Sequence, residues 1–172
     1  MSKPTVYAIP VRPHVRQYLL CIFGTEQPWP VHQNTYLGRV VRMKAEKQPF
    51  LQVRRPEQVE GTVVQFTLPT ALKHYTITSE SARQMGETLD KFFSLQFIQF
   101  VLGHVVASQN ERSAVRHFCK LYDINPSDAD LEMLRKVYRD YKDKVLLKNG
   151  QAHFLYDELG REELQSDYAI AS

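Results

Sequence analysis

The strongest restriction on the fold comes from a long stretch of apolar residues at helical spacing between Met85 and Val106. From Phe92 onward these apolar positions occupy most of the helix circumference instead of one narrow stripe. Such a helix needs neighbours on several sides to remove it from water. We therefore predict a central buried helix, which could bend or break at Gly86 or Gly103 because glycine weakens a helix interior.

Two short segments in the first half of the chain predict a pair of strands. Thr5–Val11 is rich in β-branched and aromatic residues, and Thr62–Leu68 alternates apolar and polar positions. We expect these two strands to pair with each other. A helix is predicted over Pro13–Phe23, which starts with proline and is followed by a glycine stop. A second short helix is predicted from Asn34, with Asn34 or Thr35 as its cap, and its β-branched and aromatic residues leave a strand as the alternative.

The second half of the chain predicts two helices in succession. Ser108-Gln109-Asn110-Glu111 matches a capping box, so a helix should start there and continue through residues 114–122. A second helix is predicted over residues 126–141, about four residues further on. This layout resembles a helix-turn-helix, although any packed helix pair would have the same pattern. Residues 145–156 are either a hairpin around Asn149-Gly150, resembling a wing, or the end of the second helix.

These elements predict an α+β fold that is mostly helical. It combines a small antiparallel β-sheet, the central buried helix and a C-terminal helix hairpin that resembles a helix-turn-helix. A length of 172 residues fits one domain, or one domain with an appendage. We expect an α+β core domain with a basic amino-terminal segment over residues 1–107. The helix hairpin, with or without a wing, would pack on it over residues 108–159, and residues 160–172 would form an acidic flexible tail.

Positive charge is concentrated in the amino-terminal segment and in the second hairpin helix of a chain whose net charge is +3. The first 60 residues hold nine Lys or Arg against four acids, whereas residues 149–172 hold one against five. Cations from the first region and from the second hairpin helix could bind phosphates and add salt-dependent affinity without sequence choice. A solvated helix face with carboxylate partners is the alternative. The predicted nucleic-acid-binding residues are Arg12, Arg16, Arg39, Arg42, Arg54, Arg55, Arg135, Lys136, Arg139 and Lys142.

The sequence contains no recognisable catalytic, metal or cofactor motif. Its six histidines lack metal spacing, and neither a nucleophile elbow nor a phosphate-binding loop occurs. We predict no catalytic residue, metal or cofactor, although distant residues could assemble an active site on folding. Cys21 and Cys119 lie far apart and are predicted to be reduced and buried. No amino-terminal signal and no apolar run of about 18 residues occurs, which predicts a cytoplasmic protein without a membrane partner.

The opening strand, the helix that ends at Gly24 and the late helix hairpin together resemble small phage or mobile-element proteins. This resemblance implies a role with nucleic acid and assigns no individual residue to it. We therefore expect a non-enzymatic nucleic-acid-binding protein, a regulator or accessory factor that binds DNA in preference to RNA. The alternative is a protein-interaction or assembly module, a homodimer or an adaptor, that acts without nucleic acid.

Overall fold

The computed structural model of the protein describes residues 5–32, 34–47, 61–68, 75–108, 110–125 and 131–146. In chain order the elements are β1 (Val6–Pro10), α1 (Pro13–Phe23), β2 (Trp29–Pro30), α2 (Tyr36–Lys44), β3 (Glu46–Lys47), β4 (Val63–Thr67), β5 (Tyr75–Thr76), α3 (Ser79–Ser108), α4 (Glu111–Leu121) and α5 (Leu131–Tyr141). The helices outweigh two small sheets, so the predicted α+β class is confirmed.

The chain forms two compact units. The first comprises the described parts of Met1–Phe93 and Tyr122–Asp128, and the second those of Ser94–Leu121 and Ala129–Ser172. The division between them falls inside α3. The predicted domain boundary between residues 107 and 108 stays a prediction, and the predicted tail lies outside the described residues.

The larger sheet of the first unit is built around β4. β1 pairs with β4 in antiparallel register, with Val6 opposite Thr67 and Ile9 opposite Val64, which confirms the predicted strand pair. On its other side β4 pairs in parallel with β2, so the sheet is mixed. A second sheet consists of the short antiparallel strands β3 and β5. Sequence alternation did not predict β2, β3 or β5, because two residues are too few to display it.

Both ends of α1 lie at residues that favour helix termini. The helix starts at Pro13 and stops at Gly24, whose φ of +94° is a backbone conformation that suits glycine. The Gly24 carbonyl accepts a 2.9 Å hydrogen bond from the Trp29 indole, and the buried Trp29 ring packs on Phe23. Cys21, on the same helix, is exposed, so its predicted burial is wrong. The side of α1 on which Cys21 lies has no covering element among the described residues.

α2 begins with a side-chain cap. The Thr35 hydroxyl accepts a 3.1 Å hydrogen bond from the Gly38 amide, which satisfies one of the free amides of the first turn. This confirms the predicted helix and chooses Thr35 over Asn34 as its cap. The apolar face of this helix belongs to the core of the first unit, because its residues Leu37, Val40 and Val41 are buried.

α3 is a single helix of 30 residues that starts before the predicted apolar stretch. Gly86 does not break it. A Cβ at Gly86 would lie 2.1 Å from the Pro10 carbonyl oxygen, so this glycine allows β1 and α3 to approach closely. Gly103 also lies within the continuous helix, and a Cβ there would meet nothing within 4 Å.

α3 is buried along one side, whereas its apolar composition predicted burial on several sides. Leu95 and Val106 remain 49% and 47% exposed. Within the part of the chain that the structure describes, α3 is the one helix long and apolar enough to cross a membrane, with 28% of its most apolar window buried. This is weak evidence for a membrane span, because core helices of soluble proteins share such length and composition.

The second unit is held together by aromatic contacts between α3 and α4. The centroid of the Phe118 ring lies 5.1 Å from that of Phe97 and 5.3 Å from that of Phe100, and both ring pairs have edge-to-face geometry. α5 packs against α4 and buries Leu134 and Tyr138. A wider π-helical turn, Lys142–Leu146, follows α5.

The predicted capping box at the start of α4 is wrong. Ser108 is the last residue of α3, and its hydroxyl donates to the carbonyl of His104. The cap is Asn110, whose side-chain oxygen accepts a 2.9 Å bond from the Ser113 amide. A serine hydroxyl can bond back to its own helix as readily as it caps the next one.

The connection after α4 belongs to the first unit. Asp123 adopts a left-handed conformation with a φ of +50°, which ends the helix, and Ile124 is buried. The Tyr122 ring packs edge-on against Tyr18, with the two ring centroids 4.8 Å apart. The predicted start of the next helix at residues 126–130 lies outside the described residues. Of the segment 145–156, only residues 145 and 146 are described, and they are helical.

Candidate nucleic-acid interface

Two of the arginines predicted from the amino-terminal segment are engaged within the first unit. The Arg12 guanidinium lies 3.7 Å from the Asp90 carboxylate. Arg16 donates a 3.2 Å hydrogen bond to the carbonyl of Val63, the first residue of β4. These contacts attach the start of α1 to its neighbours, so both arginines have a structural role before any ligand is considered.

The remaining predicted arginines of this segment divide into two kinds. Arg39 and Arg42 are exposed on α2 and have no carboxylate partner among the residues that the structure describes. Arg54 and Arg55 lie outside the described residues. The first unit therefore offers the α2 pair as accessible positive charge.

The arginines of α5 share one carboxylate. Glu132 forms an ion pair with Arg135, three residues along the helix, and its second oxygen lies 3.9 Å from Arg139. Only 23% of the Arg135 side chain is exposed. This geometry matches the alternative of a helix face neutralised by its own acids, and it leaves Arg135 poorly placed to meet a phosphate.

The lysines near α5 differ from each other. The Lys142 ammonium lies 3.0 Å from the Glu111 carboxylate, and this ion pair links the end of α5 to the start of α4. Lys136 is exposed and has no ionic partner within the described ranges. Of the four cations predicted on the second hairpin helix, Lys136 is thus the one with its charge uncompensated by a described carboxylate.

A row of cations on α4 was missed from the sequence. Arg112, Arg116 and Lys120 follow one another at every fourth position, so they lie along one face of the helix. All three are exposed, and none has a carboxylate partner among the described residues. The four-residue spacing is visible in the sequence, but a helix-turn-helix places its second helix in the groove, so the predicted contacts fell on α5.

A shallow concavity of about 780 Å³ runs along this face of α4. It is lined by Asn110, Arg112, Ser113, Arg116, His117, Lys120 and Leu121. No carboxylate is among these described lining residues, so the concavity is positively charged. An extended anion could lie against it without displacing an existing ion pair.

Two histidines and a serine form a hydrogen-bonded chain beside the α4 row. His104 Nδ1 lies 2.8 Å from the Ser108 hydroxyl oxygen, and His104 Nε2 lies 3.2 Å from His117 Nδ1. Because the Ser108 hydroxyl donates its proton to the His104 carbonyl, it accepts from His104 Nδ1–H. A neutral His104 then presents a lone pair at Nε2, and His117 donates to it from Nδ1. In this arrangement His117 Nε2 carries the remaining lone pair of the chain.

The same region holds neither a metal cluster nor an activated cysteine. Across the described residues, no group of three or more metal-ligating side chains occurs, and His104 and His117 alone would supply two ligands. Cys119 lies on the buried face of α4, and burial raises the pKa of its thiol. A thiol kept protonated in this way is a poor nucleophile.

Comparisons with known proteins identify no relative of this chain. No protein-family model matches it, and neither a curated protein nor a solved structure is significantly similar to it.

Proposed function

We propose that this protein binds nucleic acid through the phosphate backbone and that the α4 row, Arg112, Arg116 and Lys120, is its principal contact. The supporting observation is that three exposed cations without described carboxylate partners lie along one helix face. This proposal keeps the expected class of ligand and moves the main contact from the second helix of the hairpin to the first.

The spacing of the α4 row suits a polyanion. Residues four apart are separated by about 6 Å along a helix axis, which is comparable to the separation of successive phosphates along a nucleic-acid strand. Each cation that neutralises a phosphate releases counterions, so three contacts predict a slope of about −2.7 for log K against log salt on B-form DNA. Arginine adds a planar donor fork that matches phosphate oxygens.

The ion pairs on α5 explain why that helix contributes less. Arg139 would have to leave Glu132, and Lys142 would have to leave Glu111, before either could neutralise a phosphate fully. Phosphate contacts are common to DNA and RNA and read no base. The proposed function is therefore binding with little sequence preference, with DNA as the first ligand to test.

The experiment is fluorescence polarisation with labelled single- and double-stranded DNA and RNA of mixed sequence, at salt concentrations from about 50 to 200 mM. The test variant is R112Q/R116Q/K120Q. The matched control, K136Q/R139Q/K144Q, removes the same charge from α5 and the turn that follows it. We expect the α4 variant to lose about tenfold or more in affinity at the lowest salt, and the control to lose much less.

Two outcomes contradict the proposal. One is the absence of binding to every probe at the lowest salt concentration, where phosphate attraction is strongest. The other is an α4 variant that binds as tightly as the control variant. Circular dichroism and urea unfolding of both variants establish that they are folded.

A second candidate function is self-association through α3. Leu95 and Val106 are about half exposed on this helix, and the sequence from Phe92 to Asn110 contains no charged residue. An exposed, uncharged helix face favours a second copy of the chain as its partner. Light scattering over a wide concentration range tests this, with L95Q/V106Q as the variant that should remain monomeric. A wild-type protein that is monomeric throughout excludes it.

A further inference from the structure

We propose that His117 is a fourth phosphate-binding side chain beside the α4 row and that its contact with phosphate is coupled to the uptake of one proton. This inference rests on the proposed function, because it concerns the same site and the same ligand. It assigns a role to the chain of hydrogen bonds through Ser108, His104 and His117, which the α4 row alone leaves unexplained.

The direction of the hydrogen bonds carries the inference. In the tautomer that agrees with the Ser108 hydroxyl donating to the His104 carbonyl, Ser108 accepts from His104 Nδ1–H and His104 accepts from His117 Nδ1–H, which leaves a lone pair on His117 Nε2. A lone pair repels a phosphate oxygen. Adding one proton to Nε2 turns it into an N–H donor and gives the ring a positive charge, while the rest of the chain keeps its bonds.

The position of His117 places this donor where the anion is expected. His117 lines the same concavity as Arg116 and Lys120, and it is exposed. The Phe100 ring of α3 packs against its imidazole in a T-shaped arrangement, with the two ring centroids 5.7 Å apart. His104 and Phe100 together fix the orientation of the His117 ring.

No described carboxylate competes for the proton. The charged or titratable group that faces His117 from α3 is His104, because α3 has no Asp, Glu, Lys or Arg after Lys91. On α4 the neighbouring charges are Arg116 and Lys120, and Glu111 is bonded to Lys142, which follows α5. A bound phosphate is then the anion adjacent to the imidazole, and it favours the protonated ring.

The sign of the pH dependence follows from proton uptake. If the complex holds one more proton than the free protein, affinity rises as pH falls and decreases as pH rises. Histidine changes charge between about pH 5 and 8, so the effect belongs to that interval. One coupled proton limits the change to about tenfold in affinity per pH unit.

The test is polarisation with the same labelled DNA from about pH 5.5 to 8.5 at constant ionic strength, an interval that covers histidine titration. The variants are H117Q and, as the matched control, H32Q, which removes an exposed histidine from the first unit. We expect affinity to rise toward low pH for the wild type and for H32Q and to be nearly constant for H117Q. The wild-type salt slope should also be steeper at pH 5.5 than at pH 8.5 by about 0.9, since one more cation contacts phosphate.

The outcomes separate this inference from the proposed function. Binding that is equally tight at every pH, or an H117Q variant with the wild-type pH dependence, overturns the role of His117 and leaves phosphate binding in place. Absence of binding at every pH overturns both. R116Q provides a further check, because it should weaken binding at all pH values and keep the pH dependence.

Discussion

At the residue scale, burial makes Tyr18 sensitive to alkaline conditions. Its side chain is 1% exposed and packs among Phe93 and Tyr122. Burial, and secondarily the nearby Tyr122, raise the pKa of Tyr18 to about 12 from an ordinary value of 10.0. The folded protein therefore retains the Tyr18 proton at pH values where the unfolded chain loses it.

The sign of this linkage gives the first prediction. The contribution of Tyr18 to stability is complete below pH 10 and is lost as pH rises from 10 to about 12. The predicted loss is about 2–3 kcal/mol over that interval. Urea unfolding at a series of pH values should show a smaller alkaline loss for Tyr18→Phe than for the wild type. Equal pH dependence of the two proteins would show that Tyr18 is not responsible.

At the element scale, α3 contains a matched pair of glycines for a second prediction. A methyl group at Gly86 would meet the Pro10 carbonyl oxygen at 2.1 Å, whereas one at Gly103 would meet open space. We expect Gly86→Ala to destabilise the protein by about 1–3 kcal/mol, because β1 and α3 must separate. Gly103→Ala should stabilise it by up to about 1 kcal/mol through helix propensity.

The two glycine variants make the same substitution in the same helix, so helix propensity cancels between them. Denaturant unfolding measures both free energies. A Gly86→Ala protein as stable as Gly103→Ala would mean that β1 does not approach α3 as closely as the structure shows.

The elements that could be predicted from sequence are those with local signals. α1 has proline at its start and glycine after its end, and the pairing of β1 with β4 follows from their composition and alternation. The two-residue strands were not predictable, because their only signal is a partner distant in sequence. The start of α4 was misplaced for a local reason, since Ser108 and Asn110 are both good caps and the Ser108 hydroxyl bonds back to α3.

At the scale of the whole molecule, the ion pairs of the cations decide which of them are accessible to a ligand, and the number of charges per segment does not reveal these pairs. The four-residue spacing of the α4 row is visible in the sequence, but residues 111–148 hold nine Lys or Arg against seven Asp or Glu, so the charge count of this segment does not reveal the row. The Glu132 pairs on α5 lie at helical spacing, as expected from the alternative of a solvated helix face with carboxylate partners. The Lys142–Glu111 pair spans 31 residues, so only the packing of α4 and α5 reveals it.

The two units differ in the charge that they offer to a polyanion. The described part of the second unit holds eight Lys and Arg against four Asp and Glu, and that of the first unit holds eight against six. Each unit has an exposed pair of arginines on a helix: Arg39 and Arg42 in the first unit, and Arg112 and Arg116 in the second. The two pairs have the same charge and the same residue type. They form the matched comparison for the third prediction.

We expect R112Q/R116Q to reduce the steepness of log K against log salt by about 1.8 on double-stranded DNA, because two phosphate contacts are lost. R39Q/R42Q should reduce it by less than about 0.9, the effect of one contact. Polarisation titrations at five or more salt concentrations measure both slopes. Equal reductions would show that α2 contacts the backbone as fully as α4, as the basic amino-terminal segment predicts. A reduction confined to R39Q/R42Q would transfer the interface to the first unit, because salt dependence follows the cations that release counterions.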